Sequence, residues 1–386
     1  MRALLIIAIV AVGVNAALAA APTPGQDTGP PDRFYRARVI VVERQETRSL
    51  AGSETDTQIV RVQLTSGPGR GQIVTAEHNI PAPMREFATL RAGDAIVVGF
   101  SIAGGSPMYY VADRDRMPAL GAIAVVFVIA AIVFSGRRGA AAIAGLGISI
   151  LVLARFVVPR ILDGSPPLPV SLLGALAIAL TSIYLAHGLK PRTTVALIGT
   201  LLTLGVAGFL SVLFVRVAGL SGTGSEEALF LSAGLPIEVN FRGLLLGGII
   251  LGTLGVLDDI TTSQAAVVDE LSRANPRLSS RELFLRGISV GQEHIAALIN
   301  TLVLAYAGAS LPLFLLFSLD RGQPMWVTIN SEFVAEEIVR AIAGSLALVL
   351  AVPITTALAA RFLRRNPGEP PSTPDDQSHA GHHHCH

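Results

Sequence analysis

Two different periodicities of hydrophobic and polar positions divide the chain. Residues 34 to 42, 58 to 65, 72 to 78, 95 to 102 and 108 to 112 are short runs rich in Val, Ile and aromatics. Turn-formers such as Gly67-Pro68-Gly69 and Gly104-Gly105-Ser106 separate them. Such runs predict five strands closing into a small β-barrel of the oligonucleotide/oligosaccharide-binding shape, OB-like in outline. Long apolar segments follow at 118 to 135, 139 to 158, 169 to 187, 193 to 215, 243 to 262, 290 to 317 and 336 to 360. Each approaches or exceeds the ~20 helical residues needed to cross ~30 Å of hydrocarbon. The expected architecture is therefore an α-helical polytopic membrane protein with about seven transmembrane helices and a small exported barrel.

The amino end adds an address. Arg2, an apolar run from Ala3 to Val14 and small residues at Ala17, Ala19, Ala20 and Ala21 have the layout of a signal peptide over 1 to 21, with an uncleaved anchor as the alternative. Pro22, Pro24, Pro30 and Pro31 make residues 22 to 33 a linker. The domain reading continues with an extracytoplasmic β domain over 34 to 116, a transmembrane domain over 117 to 362, and a disordered cytoplasmic tail over 363 to 386.

Composition agrees with a membrane address. Hydrophobic residues make up 51% of the chain and charged residues 15%, too few to give a soluble domain of this length a polar surface. A net charge of +1 and no aromatic platform with interleaved basic residues argue against nucleic acid. With the barrel outside, the cell-facing loops carry Arg137, Arg138, Lys190, Arg192, Arg273, Arg277, Arg281, Arg286, Arg361, Arg364 and Arg365. The opposite loops carry Arg160, Arg216, Arg242 and Arg321, which places the carboxyl terminus in the cytoplasm of a bacterial-type inner membrane. Pro312 inside 290 to 317 predicts one long or kinked span, because two crossings there would put the basic end outside.

Ionisable groups in spans are costly, and three places hold them. On a helix Gly248, Gly252, Gly255, Asp259 and Thr262 form one stripe, with Asp258 and Ser263 beside it. Close approach of a neighbour at the glycines would turn the acid toward protein; a plain packing helix with an acidic end in water is the competing reading. Glu293, His294 and Asn300 lie on a second helix, with Glu293 expected at the depth of Asp258 and Asp259. Asn330, Glu332, Glu336 and Glu337 open the last span, where acids also suit the helix dipole. Between spans, Val268 to Arg286 reads as a helix end, an Asn275-Pro276 turn and a new helix capped at Ser279 or Ser280 with Glu282.

The tail ends in His379-Ala-Gly-His382-His383-His384-Cys385-His386, whose imidazoles and lone thiol suit a divalent transition metal, although the spacing fits no closed zinc site and a purification tail gives the same pattern. No other cofactor is expected.

These residues carry a family resemblance. The run Gly252-Thr-Leu-Gly255-Val-Leu-Asp258-Asp259-Ile-Thr-Thr-Ser263, then Gly291-Gln-Glu293 with Asn300 to Gly308, then Glu336-Glu337-Ile-Val-Arg340 with Gly344 and Pro353-Ile-Thr355, resemble the YibE/F family of multi-pass bacterial membrane proteins. Ala92-Gly93-Asp94 and Tyr110 to Arg114 extend the likeness into the barrel. Where the family is expected to have Arg-Asp, this chain has Gln292-Glu293, so a charge pair is missing there. The resemblance implies a fold and a membrane address more than an activity.

The leading functional expectation is a secondary transporter or channel-like permease for an ion or small solute, with Asp258, Asp259, Thr262, Ser263, Glu293, Asn300, Glu336 and Glu337 along the path. The alternative is a non-transporting accessory protein whose barrel binds an envelope partner, alone or as a homo-oligomer. No zinc-protease, serine-elbow or phosphate-loop motif is present, so an enzyme is not expected.

Overall fold

The computed structural model describes residues 33–50, 53–81, 84–103, 106–234, 239–312, 315 and 324–365. The expected leader, all of the linker except Arg33, and the histidine-rich tail from 366, including His382, His383, His384, Cys385 and His386, lie outside the described residues. The described residues form two compact units, one ending at Ala130 and one from Ala131 onward.

The first unit contains the barrel. Strands β1 (Arg33–Leu50), β2 (Ser53–Leu64), β3 (Ile73–Pro81), β4 (Ala95–Ala103) and β5 (Ser106–Arg114) close in the order β1-β2-β3-β5-β4. The β3–β5 pair is parallel and the other pairs antiparallel, and α1 (Arg85–Ala88) bridges β3 and β4. Alternation puts Ala37, Val39, Val60, Val62, Ala76, Ile96 and Val98 inside. Two polar side chains share that interior. Asp56 takes an ion pair from Arg85 at 2.6 Å, and Gln58 accepts the Leu90 amide at 2.9 Å, so α1 is stapled over one end of the barrel.

Among the described residues, six helices are long and apolar enough to cross a membrane. The first runs 46 residues from Met117 to Leu162, comprising α2 (Met117–Val152), a short π turn and α3 (Val158–Leu162). Gly136 breaks it, with φ 56° and ψ −134°. A side chain on Gly139 would collide with the Ala131 carbonyl, eight residues back. In an unbroken helix those residues stand ~12 Å apart, so the chain turns on itself there. The expected loop at Arg137 and Arg138 coincides with this break.

The other long helices are α4 (Pro167–His187), α5 (Pro191–Val217), α7 (Phe241–Ala274), α8 (Ser280–Ala309) and α10 (Glu332–Phe362), with short α6 (Glu226–Gly234) and α9 (Met325–Asn330) between them. Local chemistry sets their ends. Proline opens α4 and α5, where its missing N–H costs nothing, and Gly188 at φ 76° stops α4. Asn240 caps α7 by accepting from Gly243 N at 2.9 Å. Ser279 and Glu282 form the anticipated capping box on α8, after α7 ends at Asn275. Unlike the expected kinked span, α8 ends at Ala309, and Pro312 lies past its C-cap, where a missing donor is harmless. Pro353 instead sits inside α10, which continues through it.

α7 is the central helix, with 56% of its most apolar stretch buried against 6% for the first span. Ala175, Ala179 and Ile183 of α4, Leu197 and Leu204 of α5, and Leu348 and Ala351 of α10 surround Ile250, Leu254 and Leu257 of α7. Small residues permit this closeness. A side chain on Gly247 would strike Ser171 Oγ, one on Gly174 would strike Val157, and one on Gly291 would strike Val352.

Candidate functional site among the helices

At the end of the bundle where α4, α7 and α10 begin, two acids of α10 reach the loop after α5. Glu332 Oε1 accepts from Ser221 N at 2.5 Å, Ser221 Oγ at 2.6 Å and Gly222 N at 3.0 Å. Glu336, only 3% exposed, accepts from Gly224 N at 2.9 Å. The loop can aim its amides this way because Gly222 holds φ 87° and packs against the Phe241 carbonyl, leaving no room for a side chain. Arg242 Nε donates to Leu220 O at 2.9 Å and fixes the loop to α7. Glu337 points elsewhere and pairs with Arg340 at 3.3 Å, while the Arg340 guanidinium lies beside Gly248. A cavity of about 730 Å³ opens beside this clasp, lined by Gly219, Leu220, Trp326, Asn330 and Glu332 among others.

Deeper in the bundle, hydroxyls and one amide tie four helices. Thr200 Oγ1 of α5 and Thr261 Oγ1 of α7, both fully buried, lie 2.6 Å apart. Gln264 Nε2 of α7 donates to Gly287 O of α8 at 2.8 Å and to Thr356 Oγ1 of α10 at 2.7 Å. Away from water these bonds have no solvent competitor, and each pins a crossing. Thr355 Oγ1 is enclosed without a partner, and Gly199 of α5 sits against it.

Asp258 stands apart. It projects from α7 toward α4, where Ser182 Oγ donates to its Oδ2 at 2.5 Å. Its Oδ1 is enclosed and accepts no hydrogen bond from any described group. Gly145 of α2 packs against Ser182, since a methyl there would lie 3.6 Å from Ser182 Cα. Among the described residues Asp258 Oδ1 is the one enclosed carboxylate oxygen without a donor, and it stands on a helix long and apolar enough to cross a membrane.

The remaining predicted residues divide between two faces. Gly252 and Gly255 have no described atom within 4 Å of where a side chain would start, and Asp259 is exposed, so their stripe lies on the outer face of α7. The acid that turns toward a neighbour is Asp258, and the tightly packed glycine of this segment is Gly247. Thr262 Oγ1 donates to the Asp258 carbonyl at 2.9 Å. Ser263 and Glu293 do meet: with Gln264, Val267, Val290 and His294 they line a groove of about 360 Å³ between α7 and α8. Asn300 is exposed farther along α8. Glu293 and Asp258 are therefore on different sides of α7 rather than paired.

Sequence reasoning passed over Ser182, Thr200, Gln264 and Thr356. A hydroxyl in an apolar helix is unremarkable in sequence, because it can bond its own backbone one turn back, as Thr203 does to Gly199 O at 2.8 Å. Gln264 was visible at the end of the Thr-Thr-Ser-Gln run, although its three-helix role was not. Among the described residues no three His, Cys, Asp or Glu side chains gather as a metal site.

Comparison with curated proteins and with solved structures gives no match. A family model described as YibE/F-like protein matches residues 123–365, the stretch that contains both the Glu332–Glu336 clasp and the Ser182–Asp258 pair. With nearly the whole helical unit matched, this multi-span chain belongs to the YibE/F-like family.

Proposed function

We propose that this protein is a secondary transporter or channel-like permease for an ion or small solute, set in the bacterial inner membrane with its barrel outside and its carboxyl end in the cytoplasm. The observation that carries this reading is Asp258, an acid on the central membrane helix with one oxygen enclosed and without a donor. A carboxylate kept in that state is expensive, and bundles whose acids serve only packing satisfy them, as Glu332 is satisfied here. Seven crossings are part of the proposal: the break at Gly136 divides the 46-residue first segment into two legs, and the arginine bias supports the orientation. On this orientation Glu336 and the 730 Å³ cavity lie at the outer entrance, and the Glu293–Ser263 groove at the inner one.

Flux in proteoliposomes, run with a panel of ions and small solutes, tests the reading with Asp258→Asn and Glu293→Gln as variants. Loss of flux in both supports a path through these residues; wild-type flux in both removes the site assignment. If no solute moves through the wild-type protein, the accessory reading takes over. That second reading has its own support in the barrel, which builds a separate core and a compact unit suited to holding a partner.

A further inference from the structure

The identity of the ion that Asp258 serves follows from what surrounds it, on the reading that the protein is a transporter. Helices α4 and α7 are continuous through Ser182 and Asp258, so no backbone carbonyl is released toward the site by an unwound turn. The carbonyl of Asp258 itself is already taken by Thr262 Oγ1 at 2.9 Å and Thr261 Oγ1 at 3.4 Å. Sodium sites in transporters draw on several oxygens, commonly from broken helices. Among the described residues, the polar side chain bonded to the carboxylate is Ser182, whose hydroxyl donates to it and so presents a hydrogen toward it rather than a lone pair. Among the described residues, no set of protein oxygens gathers here as a shell for a metal cation. A proton needs one atom, and Oδ1 is that atom: enclosed, without a donor, and on the far side of the carboxyl group from Ser182.

We propose that Asp258 is the proton-carrying group of this protein. The aspartate carboxylate takes H⁺ from water on one side of the membrane, giving a carboxylic acid with the proton on Oδ1. It returns that proton to water when α4 and α7 part. The Ser182 hydroxyl keeps its own hydrogen throughout and donates to Oδ2 in both states, which fixes the rotation of the carboxyl group. Among the described residues, the charged or titratable groups that act on Asp258 are His187, five residues past Ser182 on α4, and Asp259, next to it on α7. Gly145, the residue that α2 sets on Ser182, carries none. His187 stands at the end of α4 and Asp259 on an exposed face, which makes them the routes by which water could exchange the proton.

Infrared difference spectroscopy of the full chain in lipid nanodiscs reads this without any transported solute. A carboxylic acid C=O stretch that grows in as the pH is stepped down, identified by its shift in heavy water, is expected in the wild type. It should vanish in Asp258→Asn, move in frequency but keep its intensity in Asp258→Glu, and move again in Ser182→Ala, where the Oδ2 bond is lost. A protonated-carboxyl band indifferent to all three substitutions overturns the proposal, as does a band that sodium displaces at fixed pH. The outcome is separable from the transport assay: a band that follows Asp258 in a protein that moves no solute keeps the proton site and discards the transporter.

Discussion

The two ends of the helical bundle treat their acids in opposite ways. At one end Glu332 and Glu336 collect amide and hydroxyl donors from the Ser221–Gly224 loop. Toward the other end Asp258 receives one hydroxyl and leaves an oxygen empty. The lesson concerns what a buried acid is for. A carboxylate that meets several fixed donors, as Glu332 meets three at Oε1, is a structural clasp: it orders a glycine loop and holds α10 against the end of α5. One that is half satisfied contributes little to holding helices together, because the cost of enclosing its second oxygen offsets the single bond it makes.

Four substitutions and one control sharpen or break that contrast. The largest effect is expected for Asp258→Asn, which should abolish flux and leave the melting temperature in detergent unchanged or higher, since the amide oxygen still accepts from Ser182 and no charge is enclosed. A large fall in melting temperature would make Asp258 a clasp like the others. Next comes Glu336→Ala, which strands the Gly224 amide and should cost about 1–3 kcal/mol of stability. Thermal unfolding and hydrogen exchange at Gly224 measure it, and an unchanged exchange rate would remove the clasp. Third, Gly199→Ala puts a methyl 2.6 Å from Thr355 Oγ1, a collision expected to cost about 1–3 kcal/mol through overpacking where α5 crosses α10. Gly145→Ala, at 3.6 Å from Ser182, should be tolerated and serves as its control.

The smallest effect is expected outside the bundle. Arg116, hydrogen-bonded to Asp113 at 2.6 Å, holds that carboxyl below the usual carboxylate range, with the Arg114 amide helping. A depressed native value means the pair's contribution is present above the unfolded pKa and fades as pH falls through the folded one. Both side chains are 60% exposed, so water screens the pair and Asp113→Asn should change stability by less than about 1 kcal/mol. A pH titration of unfolding in wild type and variant checks this. A larger shift would show that exposed and enclosed acids differ less than the comparison requires.

Much of the architecture could be read before any coordinates. Five strands were legible because Val and Ile alternate with polar residues between glycine turns, and the barrel's buried positions Val60, Val62, Ile96 and Val98 follow that alternation. The capping box at Ser279 and the break beside Arg137 were equally legible, since both rest on residues adjacent in sequence. The site was legible only by residue type. Asp258 and Asp259 are neighbours about 100° apart around a helix, and the glycine stripe pointed to Asp259 as the acid facing protein. In the structure α4 packs on the other side, so Asp258 meets Ser182 and Asp259 stays exposed.

By itself the sequence determined the class, the barrel, the helical segments and the short list of acids, because hydropathy, turn chemistry and the cost of charge in hydrocarbon act locally. Only the tertiary structure decided which acid is left half satisfied. That depends on which faces of α4, α5, α7, α8 and α10 meet, and in lipid a helix face is chosen by close contact at small residues and by single hydrogen bonds such as Thr200 to Thr261. Those partners lie 61 residues apart, a pairing that no local pattern encodes.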